Sequence, residues 1–232
     1  MKLSDFRGLF RKTDIRLIRL TQHPNDQYEF DFESGDLKPW QAGEHAAFTF
    51  PDKQVKGKKF RGFSIASILE EGILKIATRI GDNPSSFKAH MRAMIPGDII
   101  RLRGPFGWFT LQDEHSPVVM IAGGIGITPI RAFMKEFEKG NKRSVSLIYS
   151  AKGDHLFKDE LKAIADKDPQ IKAGFVHTKE EVNKLINKNI TAYGPSAYYY
   201  ISGKIPMIRS LIKKLRSKGI PRKQIITDPF FG

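Results

Sequence analysis

The hydrophobic positions of this chain change rhythm near its midpoint. Through the first half, short β-type runs at 15–20 and 28–33 are separated by the turn residues His23-Pro24-Asn25-Asp26. Further runs at 46–50, 60–65, 73–80 and 99–102 are punctuated by residues 39–43, Gly57, Glu70-Glu71-Gly72 and Pro96-Gly97-Asp98. Gly104-Pro105 is expected to end the last of them. Short strands at regular spacing predict an antiparallel barrel or sandwich. One helix interrupts them, from Ser85 to about Met94, with Ser85 or Ser86 as its N-cap. After residue 115 the pattern becomes strand–helix alternation: strands at 118–122, 144–150, 173–177, 197–202 and 225–227, with helices at 129–138, 157–165, 179–188 and 206–218 between them. That alternation predicts a parallel sheet with right-handed crossovers. The expected organisation is two domains, residues 1–113 and 114–232.

The junction between the first strand and helix of the second half is rich in glycine: Gly123-Gly124-Ile125-Gly126-Ile127-Thr128-Pro129. Glycines permit a tight turn and close approach of a ligand to the backbone, and a helix N-terminus offers free N–H groups and a positive dipole end. The spacing is not the G-x-G-x-x-G dinucleotide fingerprint, so taken alone it also suits an ordinary strand-to-helix turn.

Composition narrows the chemistry. The chain has 232 residues, 40% of them hydrophobic and 28% charged, as in soluble globular proteins. No apolar run approaches the roughly 20 residues that span a bilayer, and the first six residues lack a signal-peptide core, so a cytoplasmic location is the expectation. The absence of cysteine excludes disulfides, thiolate zinc sites, a catalytic thiol and a cysteine-ligated iron–sulfur centre. The six histidines are scattered, and no metal site is expected. A net charge of +14 favours an acidic partner, or reports only a solvated basic surface.

The barrel half carries a second constellation, Arg61-Gly62-Phe63-Ser64. On a strand, Arg61 and Phe63 share a face and Ser64 points oppositely. An arginine suits a pyrophosphate, an aromatic ring can stack on a flat heterocycle, and a serine can hydrogen-bond a ring nitrogen. The plainer alternative is an exposed arginine beside a core phenylalanine.

Together these motifs resemble the ferredoxin–NADP reductase family. Arg61-x-Phe63-Ser64 resembles its Arg-x-Tyr/Phe-Ser flavin motif, and Ala42-Gly43-Glu44-His45 its Pro-Gly-Gln segment. Thr78-Arg79-Ile80 with Ser85-Ser86 is similar to its second flavin segment, and Gly104-Pro105-Phe106-Gly107-Trp108-Phe109 to the strand that ends its barrel. Gly123–Pro129 is then its pyridine-nucleotide loop, followed by Tyr149-Ser150 and Phe157-x-x-Glu160-Leu161. The resemblance covers essentially the whole chain. It implies a six-stranded antiparallel Greek-key barrel that binds FAD, followed by a Rossmann-like five-stranded parallel α/β sheet that binds NADPH or NADH.

By position, the resemblance gives each residue a role. Arg61 would pair with flavin phosphate, Phe63 would stack on the isoalloxazine or its chain, and Ser64 would hydrogen-bond near flavin N5. Gly62, Thr78, Ile80, Ser85 and Ser86 would complete the flavin site. Gly123, Gly124, Gly126, Thr128 and Pro129 would hold the dinucleotide, with Lys152, Gly203 and Met207. Ser64, Ser202 and Asp228 would stand beside the reacting atoms, and Phe230 is a candidate ring cover. Three departures stand out. Ser202 replaces the family cysteine, the terminal pattern Asp228-Pro229-Phe230-Phe231-Gly232 lacks an aromatic after its glycine, and Trp108 stands where an aspartate is usual. Lys152 favours a nucleotide 2′-phosphate and Asp154 a free ribose hydroxyl, leaving the choice of nucleotide open.

The function implied is an FAD-dependent NAD(P)H oxidoreductase that passes hydride to flavin N5 and electrons to an acidic acceptor such as ferredoxin or flavodoxin. Reduction of free flavins, quinones or ferric chelates is the enzymatic alternative, and a third is a degenerate nucleotide-binding protein with a regulatory role. A basic nucleic-acid-binding module is disfavoured, since neither a helix-turn-helix signal nor basic–aromatic clustering is present.

Overall fold

The computed structural model describes residues 11–228, and Phe230 lies outside them. The chain divides into two units, Met1–Thr110 and Leu111–Gly232.

The first unit is a six-stranded antiparallel sheet. Its strands are β1 (Lys12–His23), β2 (Gln27–Glu33), β3 (His45–Thr49), β4 (Phe60–Ser64), β5 (Ile73–Arg79) and β6 (Ile99–Phe106), in the order β4-β3-β6-β1-β2-β5. The two ends of this order approach each other where the Ala66 N–H donates to the Lys75 carbonyl, 2.8 Å, which curls the sheet into a barrel. Alternation along the strands sends Phe30, Phe32, Phe48, Leu74 and Leu102 into one core. Helix α1 (Ser86–Arg92) adds Phe87 and Met91 to that core. Ser85 caps it, its side chain accepting from the Lys88 N–H at 3.4 Å.

Strand β6 runs through Gly104-Pro105 to Phe106, four residues beyond the end expected from sequence. The β1 ladder ends at Lys12↔Arg103, with the Gly104 N–H still reaching the Arg11 carbonyl at 3.4 Å, and beyond it Phe106 pairs with His45 of β3. The β3 ladder shifts register between His45 and Ala47, a bulge of the kind at which a proline without an N–H is accommodated.

The second unit is a five-stranded parallel sheet of β7 (Val118–Gly123), β8 (Val145–Ser150), β9 (Ile171–Val176), β10 (Tyr198–Ser202) and β11 (Ile225–Thr227), ordered β11-β10-β7-β8-β9. Helices α2 (Ile127–Lys139), α3 (Lys158–Lys167), α4 (Lys179–Tyr193) and α5 (Ile205–Ser217) make the crossovers. Period-two alternation divides the sheet between two helical layers. Val119, Ile121, Tyr199 and Ile201 share a cluster with Ile186 of α4 and Ile208, Leu211 and Leu215 of α5. Tyr200, of opposite parity, packs on Phe133 of α2 with centroids 5.3 Å apart. Arg131 of α2, almost fully buried, pairs with Glu160 of α3 at 2.6 Å and locks that layer. A Thr178–Glu181 capping box starts α4, and Pro206 occupies the first turn of α5.

The outward face of β2 carries an unusual burden of buried charge. Lys75 on β5 is paired with both Glu29 and Asp31, and all three are buried. Arg19 reinforces Asp31 at 2.7 Å and His23 meets Glu29 at 3.1 Å. Removing the ammonium would leave two buried carboxylates short of their main counter-charge. We expect Lys75→Ala to destabilise the protein by about 3–5 kcal/mol in chemical denaturation; a loss below about 1 kcal/mol would show that the cluster behaves as a surface pair.

Candidate functional site

In the barrel, Arg61 and Phe63 on β4 both face helix α1. The Arg61 guanidinium lies over the Phe87 ring, 5.6 Å from its centroid, and the Phe63 ring sits 6.4 Å from the same ring. Arg61 is half-buried and also donates to the Lys58 and Phe60 carbonyls at 2.9 Å each. Phe63 is 8% exposed and makes an edge contact with Phe48, so most of its ring is committed to the core. Lys88 of α1 donates to the Arg79 carbonyl at 2.8 Å. Burial and the nearby Arg61 charge hold the Lys88 amine below the usual lysine range. Among the described residues no carboxylate pairs with Arg61 or Lys88. Two cations held together in this way form a field suited to a phosphate.

Around this pair, the Ser86 hydroxyl oxygen accepts from the Lys56 N–H at 3.1 Å. Thr78 and Ile80 are buried at the end of β5, and the Ile80 N–H donates to the Asp26 carbonyl at 2.8 Å. Gly62 pairs with Ala47 on β3. Ser64, buried, lies on the face opposite Phe63 and pairs across the ladder with His45. His45 is 1% exposed, with Phe106 and Trp108 edge-on at 4.5 and 6.1 Å. Burial pushes its imidazole down to about 3. Gly107 leaves room for that ring, since a Cβ there would come within 2.6 Å of His45 Nδ1. Sequence reasoning missed both Lys88 and His45. Lys88 stands one helical turn after Ser85, but only the fold shows that this helix faces Arg61.

In the α/β unit, strand order reverses between β7 and β10, whose neighbours run away in opposite directions. Open α/β sheets bind ligands at such a switch point, outside the carboxyl ends of the strands. Here the β7 loop and the β10 loop are in backbone contact. A Cβ on Gly126 would lie 2.5 Å from the Ser202 carbonyl carbon and 2.7 Å from the Gly203 nitrogen. A Cβ on Gly123 would meet Met207 Sδ at 2.5 Å. Gly124, at φ +55, faces open space. The Thr128 hydroxyl donates to the Ile125 carbonyl at 2.7 Å, closing the turn, and Pro129 sits in the first turn of α2. At the end of β10 the buried Ser202 hydroxyl donates to Asp228 Oδ2 at 2.9 Å, and the Asp228 N–H donates to the Ile201 carbonyl. Seven of the residues singled out from sequence thus meet here: Gly123, Gly124, Gly126, Ser202, Gly203, Met207 and Asp228. Lys152 is exposed on the loop after β8, two residues beyond Ser150, the partner of Gly123 in the sheet.

A family model described as "Oxidoreductase NAD-binding domain" matches residues 120–213, the segment that builds this crossover. The second unit carries an oxidoreductase NAD-binding domain, on a ferredoxin–NADP reductase fold. That fold is shared with the ferredoxin–NADP+ reductase of Plasmodium falciparum at a TM-score of 0.82 and 17% identity, covering 94% of this chain and 96% of that one. The ferredoxin NADP+ reductase of Neisseria gonorrhoeae, solved with bound FAD and NADP, superposes at 0.77 with 21% identity over 93% of this chain and 97% of that one. Among curated relatives, a component of the Na(+)-translocating NADH-quinone reductase of Marinomonas sp. (strain MWYL1) is 26% identical over 96% of this chain. The chain spans 60% of that component's length and about half that of other relatives it matches.

Two expectations follow from the geometry of this reductase fold. Gly126→Ala drives a methyl group into backbone, whereas Gly123→Ala meets only the flexible end of Met207. Gly126→Ala should therefore weaken nucleotide binding at least about tenfold more than Gly123→Ala in titration calorimetry; equal effects would mean the loops separate easily. His45 stays neutral in the folded protein while the unfolded chain takes up a proton below about 6.5. Stability should accordingly fall as pH drops from about 6.5 toward 3, by up to about tenfold in the folding constant per pH unit. His45→Gln should flatten that slope in denaturation measured across the same range.

Proposed function

We propose that this protein is a flavin-dependent NAD(P)H reductase that passes electrons to a separate acceptor. The observation that carries the reading is the contact of the Gly123–Gly126 and Ser202–Gly203 backbones at the strand crossover, beside the Ser202–Asp228 pair. The side-chain-free surface at Gly124 fits a dinucleotide pyrophosphate, which backbone N–H groups at the start of α2 would hold. The uncompensated charges of Arg61 and Lys88 fit an FAD phosphate, with Ser85, Ser86, Thr78, Ile80 and Gly62 lining the rest of that site. When bound, the two cofactors supply the redox chemistry, hydride moving from nicotinamide C4 to flavin N5.

The chain's own residues bind and orient. Ser64 is proposed to hydrogen-bond near flavin N5 from the face opposite Phe63, while Phe63 buttresses β4 from the core. Ser202 is proposed to contact the nicotinamide end of the dinucleotide, its hydroxyl fixed by Asp228. Met207 and Gly203 shape that pocket. On the loop after β8, Lys152 suits the 2′-phosphate of NADPH and Asp154 the free ribose hydroxyl of NADH, so the proposal takes either nucleotide.

For the acceptor we propose an acidic electron-transfer protein such as ferredoxin or flavodoxin, drawn by the net charge of +14. A quinone is the second reading, favoured by the likeness to a component of an NADH-quinone reductase. A chain without cysteine suits the reducing cytoplasm, and no described helix is long and apolar enough to cross a membrane.

An absorbance spectrum tests this directly. The purified protein should be yellow, and anaerobic NADPH or NADH should bleach the flavin band. Colourless protein that takes up no added FAD would overturn the proposal. Arg61→Gln should lower FAD affinity about 10- to 100-fold, the value of a charge-assisted hydrogen bond, as read by fluorescence of released flavin.

A further inference from the structure

From Val182 to Thr227 the sequence contains no aspartate or glutamate, but ten lysines and arginines. This stretch supplies +10 of the net +14; the other 186 residues, with 29 basic and 25 acidic, supply only +4. The fold gathers these charges onto one side of the sheet. Helices α4 and α5 share an apolar cluster on that side and are bridged by Lys214 Nζ donating to Asn183 Oδ1 at 2.6 Å. On α5, Arg209, Lys213 and Arg216 are exposed at i, i+4 and i+7, a single stripe opposite the buried Ile208, Leu211 and Leu215. On α4, Lys184 and Lys188 are exposed one turn apart, and Lys218, Arg222 and Lys223 extend the field beyond α5. The ion pairs among the described residues all lie outside this stretch. Glu180 and Glu181 stand in the first turn of α4, Glu181 engaged in the Thr178 capping box, and among the described residues none of the ten cations is ion-paired to a carboxylate.

We propose that the α4–α5 face docks on an anionic phospholipid surface, holding the protein at a membrane without spanning it. Charge complementarity gives the sign of the partner, and side-chain type selects its class. Protein interfaces are rich in aromatic residues and arginine at their centres and depleted in lysine. This face has seven lysines to three arginines and no exposed aromatic residue. A lysine is a hydrated point charge on a flexible stem, which attracts fluid headgroups without the geometric match that a folded partner demands. Single-stranded nucleic acid would call for stacking rings, and the face offers none. At its edge, Lys204 stands next to Ile205, an apolar side chain left 39% exposed at the start of α5. An exposed aliphatic beside cations suits the boundary between headgroups and acyl chains and has little to do against a phosphate backbone. This inference does not depend on the reductase reading.

Vesicle co-sedimentation of the full chain tests it, using phosphatidylcholine vesicles with and without about 30% phosphatidylserine. Each cation near the surface strengthens partitioning about fivefold. The wild type should therefore bind the anionic vesicles only, and the triple variant Arg209→Gln, Lys213→Gln, Arg216→Gln should bind about 100-fold more weakly. A control variant that removes three exposed cations elsewhere, Lys12→Gln, Lys38→Gln, Lys172→Gln, should bind within about fivefold of wild type. Raising salt to about 1 M, where screening acts over about 3 Å, should release the protein. Circular dichroism should show both variants folded, since every substitution is at an exposed position. The proposal is overturned by wild type that ignores anionic vesicles, by a control variant that loses as much binding as the triple variant, or by tighter binding to duplex DNA than to the vesicles at equal salt.

Discussion

Two stretches of backbone at the β7/β10 crossover lie so close that Gly126 has no space for a side chain, and the α/β unit is organised around that contact. Gly126 rests against the Ser202 carbonyl and Gly203 nitrogen, and Gly123 against Met207. The closeness follows from topology. Strands β7 and β10 are hydrogen-bonded neighbours, with Ser202 paired to Ala122, while the chain leaves them on opposite sides of the sheet, through α2 from one and α5 from the other. Two helix N-termini consequently open from adjacent strand ends. It is at such a switch point, outside the carboxyl ends of the strands, that open α/β sheets place their ligand crevice. The glycines are the sequence's answer to a steric demand that the strand order makes.

The barrel handles charge in two contrasting ways. Around Lys75 every buried charge has an opposite partner, with Glu29 and Asp31 on the ammonium and Arg19 on Asp31, while His23 adds a hydrogen-bond contact to Glu29. Such a cluster is complete, and it asks for no ligand. At Arg61 and Lys88 two cations sit together, and each raises the cost of the other's charge, which adds to burial in holding the Lys88 amine low. The arrangement is tolerable because Arg61 spreads its charge over the Phe87 ring and two carbonyls. An arriving anion would relieve the repulsion. Whether the charges balance therefore separates the self-contained cluster at Lys75 from the pair at Arg61 and Lys88, for which an anion is proposed.

The alternation of apolar positions made most of the architecture legible: the antiparallel first sheet, the five parallel strands, and the change between them follow from periods that backbone geometry imposes. Element ends were less so. Strand β6 outran Gly104-Pro105 because pairing depends on which neighbour lies alongside, a non-local fact that a local breaker signal cannot report. Helix α4 likewise runs to Tyr193, well past the apolar stretch that announced it. At the site, the Gly123–Pro129 loop could be read because it demands unusual residues. Lys88 and His45 could not, since an ordinary lysine on a helix and a lone histidine on a strand acquire meaning only from what the fold sets beside them. Phe63 shows the opposite limit: its motif suggested a stacking surface, and the core claims most of its ring.

Serine at position 202 gains a rationale from the same comparison of local and long-range facts. In sequence it reads as loss of the soft sulfur that the resemblance leads one to expect. In the fold its hydroxyl donates to Asp228, a buried residue whose own N–H ties it to β10. A thiol is a weak donor where a hydroxyl is a strong one. A cysteine at 202 would offer Asp228 a weaker donor than the serine hydroxyl does. Ser202 and Asp228 are therefore one unit. With its proton committed to Asp228, the Ser202 oxygen keeps its lone pairs for whatever approaches the crossover, and it presents an acceptor of fixed direction.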